Sequence, residues 1–523
     1  MPSFLKLATA VALLTEGVLG RQAPAVRVRN GTLEGKYVAG LDQDLFLGVP
    51  FAQPPVGQLR LQNPQHLNEI SRSRRSPSML ILASVMDADQ GPATFSEDCL
   101  TLNIVRPAMS KGKKKEKLPV GVFIYGGGWT MDFSANSVYN MSFMVKDSVK
   151  MGKPFIGASV DYRLSFWEFM ASKDIFDAGV ANLGLKDQRI ALHWAKENIA
   201  AFGGDPSNVT IFGESAGGGN GGYQAMAYGG ADEGLFRGII AESGADGTDM
   251  KNYTGPQQRY DTIVKAVGCD KESDKLAWQL LPVVDDDFVP DYPSKLLANG
   301  NFTKVPLMAG TNADEGSFFG LPSVDSTEEA VSNLRAAGLD ADTVDTLLAL
   351  YPNIDALGIP SGYRYKSSDP VKKQYKRWAA LQGDQVFMSW RRARTDAWSK
   401  HNVTSYAYLF EVAYVFYDML GQGYGTGQGP LMNASKDVLD LAKLVSHMWI
   451  SFITELNPNE HGISGVPEWP VFNNGGGYGE HFYFNPNGSM AQPDNLRLAG
   501  TTFMNSVSAD HCQSSVDELG YKF

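Results

Sequence analysis

Along this chain, continuous apolar runs alternate with longer stretches in which apolar residues recur every three or four positions. Val120 to Tyr125, Phe155 to Leu164, Asn208 to Phe212, Phe236 to Ala241 and Val305 to Ala309 read as buried strands. Lys186 to Phe202 has helical spacing: Ile190, Ala191, Trp194, Ala195, Ile199 and Phe202 share a stripe, and Gly203 is placed to close it. Asp437 to Leu456 repeats the pattern through Val438, Leu441, Val445, Met448, Trp449 and Phe452, with Pro458 beyond its end. Buried strands alternating with such helices predict an α/β chain on a mostly parallel, doubly wound central sheet with helices on both faces.

The other segments are less regular. Arg27 to Val38 reads as a strand and turn, Phe46 to Pro55 as an extended loop, and Ser96 to Ile104 as a strand. Residues from about 322 to 394 read as a helical insertion in a single domain spanning 21–523. Ser71 to Gln90 follows no element pattern: Ser71 to Ser76 is basic and polar, and Met79 to Met86 is apolar without amphipathic order. There are no internal repeats.

At 43% hydrophobic and 20% charged residues, composition is that of an ordinary globular chain with ample core. A net charge of −11 argues against nucleic acid and against anionic membrane surfaces as partners. Lys111 to Lys117 is a basic run whose simpler reading is a solvated loop. The glycine runs at 421–429 and 475–477 lack the Lys-Ser/Thr that a phosphate-cradling loop needs. Nothing in the sequence calls for a metal or a cofactor.

Lys6, the apolar run Leu7 to Leu14 and the small residues to Gly20 predict a secretory signal peptide over residues 1–20. The run is too short to span a membrane, so no transmembrane segment is expected. N-glycosylation sequons at Asn30, Asn140, Asn208, Asn252, Asn301, Asn402, Asn433 and Asn487 agree with an extracellular glycoprotein. Asn208, at the mouth of a buried strand, is the poorest acceptor. Three cysteines, Cys99, Cys269 and Cys512, leave at least one without an intramolecular partner.

The chemistry centres on Val209 to Gly218. A short strand runs into Gly213-Glu214-Ser215-Ala216-Gly217, and small residues follow that can open a helix. This is the nucleophile elbow of α/β-hydrolases, in which a cramped strand-to-helix turn lifts the serine hydroxyl out of the sheet. The pentapeptide alone is a weak signal, and its context strengthens it. Acyl transfer at a serine also needs an oxyanion hole, a base and an acid that orients the base. Gly126-Gly127-Gly128 ends an earlier strand, and its freed backbone N–H groups can join that of Ala216 around an oxyanion. Glu315, just past the Val305 to Ala309 strand, supplies the acid.

With these residues in place, the chain resembles the type-B carboxylesterase/lipase family, the cholinesterase-like α/β-hydrolases that include secreted fungal lipases. Matching stretches are Gly48 to Pro50 with Pro54-Pro55, Ser96 to Leu100, Gly126 to Gly128 and Asp161 to Leu164. Asn182 to Arg189, Asn198 to Pro206, Gly213 to Gly218 and Ala313 to Phe318 complete the set. The resemblance implies the α/β-hydrolase fold, Ser215 as nucleophile, Glu315 as acid, and Gly127, Gly128 and Ala216 as oxyanion donors. It implies Glu214 and Ser243 as supporting polar groups. The implied activity is hydrolysis of a small-molecule or lipid ester through an acyl-enzyme, outside the cell. Trp129, Phe133, Trp167 and Phe318 are candidate acyl-pocket walls, although core packing accounts for aromatic residues equally well.

The sequence departs from the family at several points. The loop expected to carry the base histidine is missing: Ser405 to Phe410 runs directly into Glu411 to Phe416, and Tyr408 falls where an ungapped match puts the base. Of the later histidines, His401, His447, His461, His481 and His511, none lies in that loop. The implied partner of Cys99 falls in Ser71 to Gln90, which has no cysteine, and Trp278 stands near the implied partner of Cys269. Asp132 and Glu168 replace usual glycines. Local failures inside a matching frame suggest misread exon edges, which the transcript across Ser71–Gln90 and Phe410–Glu411 tests. The alternative function is a catalytically silent extracellular binding or adhesion module.

Overall fold

The structure, a computed structural model, describes residues 23–68, 96–109, 116–244, 281–410 and 433–511, except 474 and 476, with isolated positions between. The signal segment, Ser71 to Gln90, most of Lys111 to Lys117, Asn252, Cys269, Trp278, Cys512, Glu411 to Phe416 and the 421–429 glycine run lie outside the described residues.

The strands are β1 (Ala25–Val28), β2 (Gly31–Glu34), β3 (Lys36–Val38), β4 (Gln43–Pro50), β5 (Thr101–Pro107), β6 (Leu118–Ile124) and β7 (Ile156–Val160). They continue as β8 (Gly204–Glu214), β9 (Gly238–Glu242), β10 (Leu307–Asn312), β11 (Ser405–Phe410), β12 (Glu480–Phe484) and β13 (Met490–Pro493). Among the described residues, β3 to β13 form one sheet in the order 13-12-11-10-9-8-6-7-5-4-3. The run from β7 to β12 is parallel, and antiparallel strands flank it on both sides. The five predicted buried strands are β6 to β10, and every residue of β7 and β9 is buried. A strand covered on both faces loses its alternation, which is why these runs are continuously apolar.

The first half of the segment from Phe46 to Pro55, read as a loop, belongs to strand β4. Gly48, at φ 61°, bulges the strand between Phe46 and Val49, and its N–H donates to Asn103 Oδ1 at 2.8 Å. A proline, a glycine and buried Gln43 and Asp44 hide the strand in sequence. Each finds a partner elsewhere in the chain: Gln43 Nε2 donates to the Ser142 carbonyl at 2.8 Å, and Asp44 pairs with Arg106 at 3.1 Å.

The helices used below are α1 (Ser142–Lys150), α2 (Leu183–Asn198), α3 (Ala216–Gly230), α4 (Gly316–Phe319), α5 (Thr327–Ala336), α6 (Ala341–Leu350), α7 (Tyr375–Gly383), α8 (Ser389–Lys400), α9 (Lys436–Glu455) and α10 (Leu498–His511). The predicted Lys186 helix is α2 with a 3₁₀ turn from Ile199 to Phe202, closed by Gly203 at φ 88°. The Asp437 helix is α9, capped by Ser435 Oγ accepting from Val438 N. Residues of α5, α6, α7 and α10 share a small core of their own around Leu334, Leu347, Tyr351 and Trp378.

The chain leaves β6 for β7 on one side, then returns through α2 to β8 on the other. This reversal opens a crevice between the C-terminal ends of β6 and β8, where doubly wound sheets bind ligands. What brings the two ends together is the absence of side chains. A Cβ on Gly217 would lie 2.0 Å from the Ile124 carbonyl oxygen, and one on Gly213 would lie 2.4 Å from the same atom. Backbone cannot yield at such distances. Gly217→Ala is therefore expected to destabilise the fold by about 3 kcal/mol or more, or to prevent folding. Gly40→Ala, with nothing within 4 Å of the added carbon, is expected to stay within about 0.5 kcal/mol. Urea unfolding of the two variants checks both.

Candidate active site

Ser215 occupies the turn between β8 and α3 at φ 55°, ψ −125°, a conformation that costs a non-glycine residue about 1–3 kcal/mol. Its N–H donates to the Glu242 carbonyl at 2.8 Å, and its own carbonyl accepts from Gly219 N at 3.0 Å, opening α3. The first N–H groups of a helix have no intrahelical partner, so Ala216 N lies at a donor-rich helix start. Ser215 is half-buried.

The glycine segment after β6 rests on this turn. A Cβ on Gly126 would lie 2.9 Å from Ser215 Cβ and 2.6 Å from the Glu214 carbonyl oxygen. Gly127 and Gly128 adopt φ of 80° and 61°. Their loop is held from outside: Tyr162 Oη donates to the Tyr125 carbonyl at 3.0 Å, and Trp129 Nε1 to Asn220 Oδ1 at 2.7 Å. The Tyr125 and Tyr162 rings stack with centroids 4.6 Å apart.

Glu315 follows β10, whose neighbours are β9 and β11. Asn312 N at 2.8 Å, Asn312 Nδ2 at 3.0 Å and Ser243 Oγ all donate to its Oε1. Burial raises the Glu315 pKa, and these three donors oppose the rise. Ser243 directly follows Glu242, the residue whose carbonyl holds Ser215. One dipeptide at the end of β9 thus joins the elbow to the acid. A narrow crevice lined by Asn312, Gly383 and Asp384 lies beside Glu315, with no room for a water molecule.

Further carboxylates crowd the elbow. Glu214 is open to solvent on its outer side, yet its crowded setting, then the charges of Glu315 and Asp132, push its pKa up to about 7. Glu242 is buried and accepts from Trp449 Nε1 at 2.8 Å; burial, with the charge of Glu214 adding to it, pushes its pKa up to about 8. Asp132, at φ 87°, accepts from Asn136 Nδ2 at 3.0 Å and from Tyr139 Oη at 2.5 Å. Glu168 lies 3.3 Å from Arg163, which also pairs with Asp187 at 2.7 Å. Both replacements of glycine therefore carry polar contacts of their own.

Among the described side chains, every histidine has its closest polar or ring partner away from Ser215. His401 ends α8 edge-on to Phe302, ahead of β11. Ser215 and Glu315 follow the C-terminal ends of strands parallel to β11, so His401 lies at the opposite end of the sheet, about 20 Å away along a six-residue strand. His447 Nδ1 is 3.2 Å from the His461 carbonyl, and His461 Nδ1 accepts from Ile463 N at 3.1 Å. His481 Nδ1 is 3.2 Å from Asp494 Oδ1, and His193 Nε2 is 3.4 Å from Glu233. His66 is exposed beside the short bridge to Ala52.

Tyr408 is no substitute base. It pairs with Gly310 inside the sheet, its ring packs on Phe410, Trp449, Trp469 and Phe484, and burial holds its phenol well above the usual range. Of the candidate acyl-pocket residues, Trp129 is buried, whereas Trp167 and Phe318 are 55% and 87% exposed. Cys99 is buried with a free thiol. No group of three or more metal-ligating side chains occurs among the described residues.

The family model described as "Carboxylesterase family" matches residues 22–281 and 273–497. The chain belongs to the carboxylesterase family. Lipase 4 of Diutina rugosa is 32% identical to this carboxylesterase-family chain, over 95% of it and 98% of the relative. A secreted triacylglycerol lipase of Gibberella zeae is 32% identical over 85% and 84%. The crystal structure of EstA from Aspergillus niger superposes with a TM-score of 0.78 at 26% identity, covering 93% and 98% of the two chains. The α/β-hydrolase fold is therefore shown by structure and by sequence.

Sequence reasoning missed Glu242, Asn312, Asn220 and Tyr162 in this carboxylesterase-family site. Only Glu242 left a signal, a carboxylate ending a buried apolar run immediately before Ser243. The Ser243 bond favours the ionised form of Glu315. Ser243→Ala is therefore expected to cost about 1.5–3 kcal/mol at pH 8. The loss shrinks as pH falls through the raised pKa of Glu315, because the protonated acid no longer needs that donor. Thermal melts of both proteins at pH 8 and pH 4.5 check the sign.

Proposed function

We propose that this chain is a secreted carboxylic ester hydrolase that works through Ser215. Its oxygen attacks the ester carbonyl carbon, the alcohol leaves, and water then releases the acid from the acyl-enzyme. Gly127, Gly128 and Ala216 donate to the developing oxyanion, and Glu315 is the acid that orients a base. The carrying observation is the continuous linkage from the Ser215 amide through Glu242 and Ser243 to the Glu315 carboxylate. Lipid esters are the favoured substrate class, because relatives covering most of the chain are named lipases. Relatives named as secreted support an extracellular location. The exposed sequons Asn301, Asn402, Asn433 and Asn487 are the acceptors for glycans. No helix among the described residues is long and apolar enough to cross a membrane.

A second reading, a silent extracellular binding module of the same fold, draws on one observation. Ser215 has no hydrogen bond to an imidazole among the described residues. Loss of the base of a serine triad typically lowers kcat by about 10⁶. The chain as written is therefore expected to turn over a short acyl nitrophenyl ester very slowly, the serine proton passing to solvent. A fluorophosphonate should still label Ser215 on long incubation, and Ser215→Ala should abolish both signals. Mass spectrometry finding no adduct at Ser215, with no turnover above the Ala variant, favours the binding module.

A further inference from the structure

We propose that Glu242 is a positioning residue of this site. It couples Ser215 to Glu315 through its own peptide group, and keeps charge away from the oxyanion only while its carboxyl carries a proton. The proposal deepens the esterase reading and rests on it.

The geometry is that of a clamp. The Glu242 carbonyl accepts from Ser215 N at 2.8 Å. The same carbonyl would lie 2.7 Å from a Cβ on Gly218, so α3 is seated directly on this peptide. The following residue, Ser243, donates its N–H to Gly310 of β10 at 2.8 Å and its hydroxyl to Glu315. Any movement of Glu242 is therefore shared by the nucleophile, the first turn of α3 and the acid. The β9 ladder to β8 and β10 holds the Glu242 backbone, and its side chain adds a further tie: Oε1 accepts from Trp449 Nε1 at 2.8 Å, and Trp449 is fully buried in α9 among Tyr408, Phe410 and Trp469.

The carboxyl has no cationic partner among the described residues. The titratable groups coupled to it are Glu214 on β8 and Tyr408 on β11, both neutral or anionic; Trp449 on α9 gives a neutral donor. An ionised Glu242 places a second negative charge under the elbow beside Glu214. That charge opposes the oxyanion which the glycine amides stabilise. A protonated Glu242 spares the oxyanion and keeps the clamp. Its pKa near 8 puts the change within reach of a rate profile.

The test is the rate of fluorophosphonate labelling between pH 6 and pH 9. In that step the Ser215 oxygen–phosphorus bond forms, the phosphorus–fluorine bond breaks, fluoride leaves and the hydroxyl proton passes to solvent. Glu242→Gln stays neutral at every pH and keeps the acceptor for Trp449. Its rate relative to the parent should be near one at pH 6 and rise roughly three- to tenfold by pH 9, the effect expected of one nearby like charge. Glu242→Ala should be slower throughout, having lost the Trp449 tie that steadies the clamp, with Gln restoring the rate at pH 6. A Gln-to-parent ratio that stays flat across the range, or an Ala variant as fast as Gln, overturns the proposal.

Thermal unfolding separates this outcome from failure of the esterase reading. A group whose folded pKa is raised destabilises the fold as pH climbs from its unfolded to its folded value. The parent should therefore lose stability relative to Glu242→Gln between about pH 4.5 and pH 8. If Ser215 never labels, the esterase reading falls. A flat difference in unfolding temperature would then sink the proton-dependent clamp as well.

Discussion

The contact that everything else depends on is backbone against backbone, between the end of β6 and the first turn of α3. The Ile124 carbonyl oxygen fills the space that side chains on Gly213 and Gly217 would need. Only because that space is free can β8 turn sharply into α3 beside β6, and only then does the glycine segment after Ile124 come to lie on Ser215. Packing at this density does not adjust by degrees, since interior backbone atoms have nowhere to move. The φ of 55° at Ser215 is the local cost of the arrangement, and the hydrogen bonds of Ser215 and Gly219 hold it in place.

Around that contact the protein gathers four carboxyl groups. Glu214, Glu242, Glu315 and Asp132 gather near the turn in a chain that already carries −11. Burial of carboxylates is tolerable where donors or protons neutralise them. Glu315 takes three donors on one oxygen, Asp132 takes Tyr139 and Asn136, and Glu242 holds a proton to about pH 8. Donors have been assigned where ionisation is useful, at the acid, and protonation is left to the group beneath the elbow.

The sequence made the parallel part of the sheet, α2, α9, the elbow, the glycine triplet and Glu315 visible, because each is encoded within a few neighbouring residues. It concealed what is encoded across strands. Gln43 and Asp44 look like loop residues until Ser142 and Arg106 are seen to bond them from elsewhere in the chain. Asn312 reads as the end of a strand, although its two N–H groups orient the acid three residues on. Glu242 reads as polar punctuation after an apolar run, yet its partner Trp449 lies 207 positions away. Tyr408 illustrates the opposite error, a position singled out by alignment whose buried ring belongs to the sheet core.

The absence of a histidine beside Ser215 among the described residues bears differently on the parts of the site. Electrostatic stabilisation and base catalysis are separable, and removal of the triad in serine hydrolases leaves about 10³–10⁴ of rate enhancement from the oxyanion donors and binding. On the proposed reading, the parts kept here belong to the first kind: the glycine amides, the start of α3 and the charge arrangement around Glu242. These parts are also the costly ones, since a serine at φ 55°, ψ −125° carries strain that a glycine would not. A surface kept only for binding gains nothing from that strain. Its persistence at Ser215, the proposed nucleophile, favours the proposed hydrolase over the silent module, and makes the missing base the sharper question.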